Sequence, residues 1–306
     1  MKIGFQMDQL SLINFDTDST LPIIYESQKR KNINYIFHPS DLYFKKNKVY
    51  AKANKIKFSS NKLSKYQLGT KQTLQLDSLD IIFVRQDPPY DMTYISSMHL
   101  LEQVRDKTKI VNNPRGIRNA PEKLSMLKFP DLIPPTIITR SRSEADSFID
   151  EYKSCVVKPL YGNGGEGIFF LNKLDRNYNQ ILEIFLGKSS EPFIIQKFLP
   201  EIKNGDKRII LIDGYPVGAV RRIPKGKEIR SNIHVGGKCI KTNLSKRDLQ
   251  ICESIREDLI YNGLFFVGID VIGNFLTEIN VTSPTCIQEI KRLNKIDIAK
   301  IIWDKL

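Results

Sequence analysis

The 306-residue sequence predicts an α/β fold of α+β type, an open parallel sheet domain followed by a second unit of antiparallel strands. Three observations predict it. Up to about residue 113, apolar runs of strand length alternate with helix-length stretches, the pattern of an open α/β sheet. A stretch with several prolines, 114–135, then interrupts the alternation. Beyond it, apolar runs follow one another as longer, antiparallel-looking strands. The first domain is therefore expected over 1–120 and the second over 121–306.

Residues 2–7 read as a buried first strand ending at Asp8. A helix is expected over about 21–31, a second strand over 34–38 and a polar hairpin over 42–57. Ile81-Ile82-Phe83-Val84 is a continuous apolar run, as in a strand covered on both faces. It stops at Arg85-Gln86-Asp87-Pro88-Pro89, where two prolines forbid further ladder. Helix to about 105, a strand over 109–111 and the turn Asn112-Asn113-Pro114 complete the domain. In open α/β sheets ligands bind off the carboxyl ends of the strands, and Asp8 and Arg85 both stand at such ends. In the second domain, strands are expected over 154–158, 167–171, 193–198, 208–212 and 217–221. No repeat or low-complexity tract is present.

The most specific stretch is 266–285, two apolar runs around a Gly273-Asn274 turn, which reads as a hairpin. Its inward face should be apolar, yet it carries Asp270, Glu278 and Asn280. Glu278 and Asn280 are two apart, so they share a face of a strand. Two carboxylates and an amide there are costly without a cation. Together they form a hard, all-oxygen set suited to Mg²⁺, with phosphate oxygens completing the shell. A loop of only Gly273-Asn274 in regular register would turn Asp270 away from Glu278. A three-residue loop, Gly273 to Phe275, or a bulge, sets the two carboxylates opposite each other; the three-residue loop is expected. The competing reading is a solvated hairpin with scattered polar residues.

Composition narrows the partners. The apolar fraction, 41%, suffices for packed cores. Lys and Arg number 47 against 34 Asp and Glu, but they are spread along the chain with no basic run or aromatic-interleaved patch, which argues against nucleic acid. The joint richness in Lys, Asn and Ile reads as a compositional bias. The N-terminus lacks the apolar length of a signal peptide and no stretch approaches a membrane span, so a cytoplasmic protein is expected. Cys155, Cys239, Cys252 and Cys286 show no metal-ligand or redox spacing, and are expected to be reduced and structural. With only His38, His99 and His234, histidine catalysis has little to draw on.

A second signal is Lys158-Pro159-Leu160-Tyr161-Gly162-Asn163-Gly164-Gly165-Glu166-Gly167. Glycines let backbone N–H groups approach phosphate oxygens, and the lysine adds a point charge. The stretch is neither a Walker A loop nor a Gly-x-Gly-x-x-Gly fingerprint; its bland reading is a glycine-rich turn. Gln196-Lys197-Phe198-Leu199 reads as a strand end or as a hinge whose backbone meets an adenine. Residues 223–238 are long, basic and glycine-containing, either a lid or a surface loop.

The order of these features resembles the ATP-grasp superfamily. Arg85-x-Asp87-Pro88-Pro89, Asn119-x-x-Glu122-Lys123-Leu124, Gly205-Asp206-Lys207-Arg208, Arg222-Ile223-Pro224 and Thr277-Glu278-Ile279-Asn280-Val281-Thr282-Ser283-Pro284-Thr285 together look like the bacterial type of glutathione synthetase, across essentially the whole chain. The resemblance implies an ATP-grasp domain with a smaller lobe at about 121–195 and a larger one at about 196–306. It implies ligation of γ-glutamylcysteine to glycine through an acyl phosphate, with ATP as co-substrate and Mg²⁺ or Mn²⁺ as metal. By the same resemblance Lys123, Lys158, Gly162, Gly164, Gly165, Gly167, Gln196, Lys197, Phe198, Leu199 and Asp206 bind ATP. Asp270, Glu278 and Asn280 hold the metal. Arg208 and Arg222 stabilise the transferring phosphoryl group, and Asp8, Ser19, Arg85, Arg230, Asn232 and Ser283 meet the peptide or lie near it. A homotetramer is also implied. Departures from the family pattern include Gln9, Gln86, Tyr161, Asn163 and His234-Val235. The alternatives are an ATP-grasp ligase for another acid or amine, and a polyanion-binding protein that has no use for the metal trio.

Overall fold

The computed structural model describes all residues except 61, 163, 188–190 and 227–235. The N-terminal part runs β1 (Lys2–Met7), α1 (Thr20–Lys29), β2 (Ile33–Phe37), β3 (Leu42–Lys45), β4 (Lys48–Phe58), β5 (Tyr66–Leu68), β6 (Gln72–Gln75), β7 (Ile81–Arg85), α2 (Met92–Glu102), β8 (Lys109–Val111) and α3 (Pro114–Arg118). Then come β9 (Thr136–Thr139), α4 (Arg142–Tyr152), β10 (Cys155–Pro159), β11 (Phe169–Leu171), α5 (Tyr178–Gly187) and β12 (Phe193–Lys197). The chain continues with β13 (Asp206–Ile212), β14 (Tyr215–Ile223), β15 (Lys238–Lys241), α6 (Lys246–Tyr261), β16 (Phe266–Ile272), β17 (Phe275–Asn280), α7 (Ile287–Asn294) and α8 (Ile298–Lys305).

In the first sheet β2, β1, β7 and β8 lie side by side and parallel. An antiparallel ribbon of β3–β6 extends it, with β4 paired to β2. The apolar run in β7 is buried because helices cover both faces. Ile81 and Phe83 pack with Leu21, Ile23 and Ile24 of α1, while Ile82 and Val84 pack with Tyr94, Met98 and Leu101 of α2. The β3–β4 turn places Lys46 and Asn47 at φ 50° and 59°, the left-handed geometry that matches a two-residue hairpin to strand twist.

The second sheet, β11-β10-β12-β9, is antiparallel, with α4 and α5 over one face. The third, β15-β14-β13-β16-β17, is also antiparallel. Strand alternation divides its core. Ile209 and Leu211 join the cluster containing Ile251 and Ile255 of α6, and Ile210 and Ile212 join Ile290 of α7 and Ile302 of α8.

Three details differ from the sequence expectation. Asp206 and Lys207 lie within β13, ahead of its expected start at 208, and Arg222 and Ile223 lie within β14, past its expected end at 221. Strand β9 forms just past the proline-bearing stretch. The β16–β17 loop is two residues, Gly273-Asn274, not three. A bulge between Asp270 and Val271 supplies the odd residue, so Asp270 still pairs with Glu278 while Val271 pairs with Leu276. Thr277 is the extra residue, and its hydroxyl donates to the Asp270 carbonyl at 3.1 Å, satisfying an acceptor near the irregularity.

The first and third sheets are pinned together. Asn112, buried at the end of β8, donates to the carbonyls of Phe266 and Val281 at 2.8 Å each. Its own oxygen accepts from Phe266 N at 2.7 Å. Gly116 sits so close to the loop after α6 that a Cβ would lie 2.1 Å from the Asn262 carbonyl oxygen.

Candidate functional site

A row of polar side chains crosses the third sheet. Register sets Arg222 opposite Asp206, Arg208 opposite Asp270 and Asp270 opposite Glu278. All share the sheet face that carries Ile210 and Ile212 farther along β13. Gly268, two residues before Asp270, keeps this face open; a Cβ there would lie 3.3 Å from Arg208 Cδ. Asn280 is paired with Gly268, which puts its amide beside the two carboxylates.

The row is a buried charge network. Arg208 grips Asp270 with two bonds, Nε to Oδ1 at 2.6 Å and a second N–H to Oδ2 at 2.8 Å. Arg222 lies 2.9 Å from the same Oδ2 and makes a two-bond pair with Asp206, one arm of it at 2.8 Å. Burial alone would raise the Asp270 pKa, but the Arg208 and Arg222 charges outweigh it and hold the carboxyl well below its usual range. Both arginine pKa values are raised despite burial, by Asp270 and Asp206. Planar guanidinium forks suit this role, since each satisfies two oxygens at once.

Glu278 is different. It makes no hydrogen bond or ion pair among the described residues, and burial, reinforced by the Glu122 charge, pushes its pKa up to about 8. Lys158 is buried and likewise lacks a partner among the described residues; burial lowers its pKa although Glu278 opposes the shift. Lys123 donates to the Gly162 carbonyl and stands 3.4 Å from Glu122, and Glu122 and Glu278 together raise its pKa against burial. Two lysines, two buried arginines and an unpartnered carboxyl thus converge where the second sheet faces the third. Between these sheets lies a cleft lined by Lys158, Gln196–Leu199, Asp206, Asp270 and Glu278.

The glycine loop follows β10. Gly164, Gly165 and Gly167 take φ of 62°, 84° and 68°, which other residues rarely adopt. Gly162 is needed for a different reason, since a Cβ would lie 2.4 Å from Pro159 Cγ. Asn163 lies outside the described residues. At the hinge, Gln196 donates to Thr136 Oγ1 at 3.0 Å. The N–H groups of Lys197 and Phe198 bond the carbonyls of Pro135 and Ser154.

A second group sits at the carboxyl ends of β1 and β7. The Asp8 carboxylate accepts from Asp87 N at 2.7 Å, and burial raises its pKa. Arg85 donates Nε to Thr20 Oγ1 at 3.1 Å and a terminal N–H to the Pro284 carbonyl at 2.9 Å. Its remaining nitrogen and the Ser19 hydroxyl are buried without partners. Ser283 donates to the Arg85 carbonyl at 3.3 Å, so the segment after β17 links the two groups. Arg230 and Asn232 lie outside the described residues, with most of the expected 223–238 lid.

The residues present fit a divalent cation that uses phosphate oxygens. Among the described residues no three His, Cys, Asp or Glu side chains cluster as a self-sufficient cage. Instead Glu278 is a half-buried carboxyl without a partner among the described residues, opposite Asp270 and on the face of Asn280, an oxygen set that a phosphate-bound ion would complete.

Sequence reasoning passed over Glu122, which flanks Lys123, and the apolar walls Val156, Ile168, Ile202 and Ile272 of the cleft. Val156 carried a signal: it stands two residues before Lys158 on one strand and shares its face.

A family model described as "Prokaryotic glutathione synthetase, N-terminal domain" matches residues 1–118, and its companion "ATP-grasp domain" model matches residues 122–295. The chain is 44% identical over 304 residues to the glutathione synthetase of Mesorhizobium japonicum, covering 99% of this chain and 97% of that one. It is 40% identical over 309 residues to that of Buchnera aphidicola, covering 100% and 95%. Among solved structures it resembles the D-cycloserine synthetase DcsG, with TM-score 0.71, 10% identity and coverage of 100% and 99%. It also resembles the macrocyclase MdnC from Microcystis aeruginosa, with TM-score 0.64, 16% identity and coverage of 100% and 99%. At such identities these two likenesses concern the fold alone.

Proposed function

The chain belongs to the prokaryotic glutathione synthetase family, and from that premise we propose that it joins γ-glutamylcysteine to glycine at the expense of ATP, giving glutathione, ADP and phosphate. The observation that carries the reading is the row Arg222–Asp206/Arg208–Asp270–Glu278 facing Lys158 across one cleft. Phosphoryl transfer needs positioning and charge neutralisation more than a dedicated base, and this row supplies both.

Each residue takes a role in this proposal. Gln196 to Leu199 and the apolar walls hold adenine; with Lys197 and Phe198 N–H already bonded, Leu199 is the hinge donor. Lys123, Lys158, Gly162, Gly164, Gly165 and Gly167 hold the phosphates, and Asp206 keeps Arg222 in place at the cleft. Asp270, Glu278 and Asn280 would hold Mg²⁺, with Mn²⁺ as the other candidate. A bound ion would neutralise phosphate charge. The carboxylate of the dipeptide's cysteine attacks the γ-phosphorus, ADP leaves, and an acyl phosphate forms. The glycine amine then attacks the acyl carbon and phosphate departs. Arg208 and Arg222 stabilise the charge of both steps. The buried nitrogen of Arg85 and the hydroxyl of Ser19, both without partners, receive the dipeptide with Asp8 and Ser283. Arg230 and Asn232 are proposed to close over it.

Residues 1–120 form the peptide-binding domain in this scheme, and 121–306 the ATP-grasp domain with lobes at about 121–195 and 196–306. We further infer a cytoplasmic homotetramer without nucleic-acid partners. Its four free cysteines support a reducing compartment, and no described helix is long and apolar enough to cross a membrane.

The reading in which another acid or amine is ligated draws on Gln86, where the family usually has lysine. Gln86 is buried and accepts from Gln6 Nε2 at 2.6 Å and Ser97 Oγ at 3.3 Å. Its change is thus absorbed in the domain interior, which favours the glutathione reading. ADP release with ATP, Mg²⁺, γ-glutamylcysteine and glycine, each omitted in turn, is the test. Turnover requiring all four, with glutathione as product, supports the proposal; ATP turnover independent of the dipeptide overturns the substrate assignment.

A further inference from the structure

The four cysteines fall into two kinds. Cys155 and Cys252 are buried in separate apolar cores, and burial pushes their thiols up to about 11 and about 12. Such thiols are inert. Cys239 and Cys286 instead meet beside the arginines of the phosphoryl site. Cys239 lies on β15 directly opposite Arg222, so its side chain shares that residue's face. Cys286 precedes α7, and both cysteines pack in the same cluster beneath the third sheet. Their thiols face each other closely enough to interact. Cys286 is held below the usual thiol range, first by Cys239 and then by the Arg208 and Arg222 charges, while Cys239 is raised by Cys286 and by burial. Cys286 is fully buried and Cys239 half-exposed, so a small disulfide reaches Cys239 first.

We propose that Cys239 and Cys286 are a redox modification site at which a low-molecular-weight disulfide closes a reversible Cys239–Cys286 bond that slows the ligase. The chemistry is two thiol–disulfide exchanges. Cys239 passes its thiol proton to the Cys286 thiolate as its sulfur attacks the small disulfide, forming a mixed disulfide and releasing one small thiolate, which takes that proton from Cys286 and leaves as a thiol. The Cys286 thiolate then attacks the Cys239 sulfur and releases the second. Two protein thiols are oxidised and one small disulfide is reduced to two thiols. Neither partner is near the other in sequence; the pairing of β14 with β15 and the turn into α7 create the site.

The consequence for turnover rests on the ligase reading. A disulfide needs S–S of about 2.05 Å and Cβ atoms about 3.8 Å apart, so closing the bond draws β15 and the segment ahead of α7 together. That segment is tied to the site, because Thr285 Oγ1 accepts from Arg208 at 3.4 Å and Pro284 O from Arg85 at 2.9 Å. Cys239, across from Arg222, pulls on the other end. A displacement of about 1 Å in such positioning groups costs up to a hundredfold in rate. The oxidised disulfide of a thiol product would thus act back on the enzyme that makes it.

The test uses the full-length protein equilibrated in glutathione–glutathione disulfide mixtures, acid-quenched and alkylated, then mapped by mass spectrometry. Desalted samples are assayed for ADP release before and after dithiothreitol. Expected are two alkylated thiols at high disulfide, a linked peptide joining Cys239 to Cys286, and turnover at least tenfold lower that recovers on reduction. Cys239→Ser should match the reduced wild type in turnover and resist both linkage and slowing. Alkylation of all four thiols at every ratio, linkage through Cys155 or Cys252, or full turnover by the linked form overturns the proposal. A reduced protein without ADP release overturns the ligase reading instead, and the linkage map then decides the thiol pair by itself.

Discussion

In the proposed scheme Glu278 concentrates the chemistry in one side chain. Its pKa of about 8 lies above that of an unfolded glutamate, so between roughly pH 4.5 and 8 the folded state binds more protons than the unfolded one. Stability of the metal-free protein therefore falls, through this group, as pH rises across that window. Glu278→Gln should flatten the decline in Tm from pH 6 to 8, read by differential scanning fluorimetry. Asp18, raised by burial to about 6, adds a decline of the same sign mainly below pH 6, so the variant isolates the upper part. The same substitution should lower ATP turnover by about two orders of magnitude, measured as ADP release. Arg222→Lys should lose its two-bond pairing with Asp206 and cost at least roughly tenfold in kcat/KM, because an ammonium cannot reproduce the fork. The grouping of Asp270, Glu278 and Asn280 on one face was legible in the sequence because each breaks the apolar pattern its strand should show. The partnering of Asp270 by two arginines was not legible. It depends on which strands lie side by side, and sequence spacing does not encode that.

Elements were legible wherever burial left a period. The continuous apolar runs of β7, β13 and β16 are each forced by helices on both faces. The bulge in β16–β17 had only half a signature. The need for Asp270 to face Glu278 demanded an odd residue, but whether the loop or the ladder held it depended on Thr277 finding a local acceptor. Strand β9 was lost among prolines because its residues are only half-buried and give no clear alternation. At this scale Asn112 is the most exacting position, with three buried hydrogen bonds linking β8 to β16 and the exit of β17. Asn112→Ala should cost about 3 kcal/mol, from buried groups left without partners, in urea unfolding. Gly116→Ala drives a Cβ to 2.1 Å from the Asn262 carbonyl oxygen and should lower Tm by roughly 5 °C.

The whole molecule ties the first sheet to the third through buried hydrogen bonds, while a cleft opens between the second and third sheets. ATP with Mg²⁺ should bridge that cleft and raise stability by about 2.7 kcal/mol at a hundredfold excess over Kd, seen as a rise in Tm that Glu278→Gln removes. The passage from a largely parallel sheet to antiparallel ones was legible from the change in strand pattern, whereas the separation of the antiparallel strands into two sheets was not. The closing contact between the two ends of the chain was not, because no local pattern announces it. Trp303 of α8 packs its ring 5.4 Å from Phe83 and donates Nε1 to the Ile23 carbonyl at 2.9 Å, while Arg30 of the N-terminal domain bonds the Trp303 carbonyl at 3.0 Å. This contact sets a timetable for synthesis. The N-terminal sheet leaves the ribosome with the apolar ground beneath Trp303 still bare, and the helix that covers it is made only much later. At about 5–20 residues per second, nearly two hundred intervening residues mean roughly ten to forty seconds of exposure for every nascent chain. During that interval the half-made protein is a client for chaperones, and a ribosome paused in the second half of the message lengthens it.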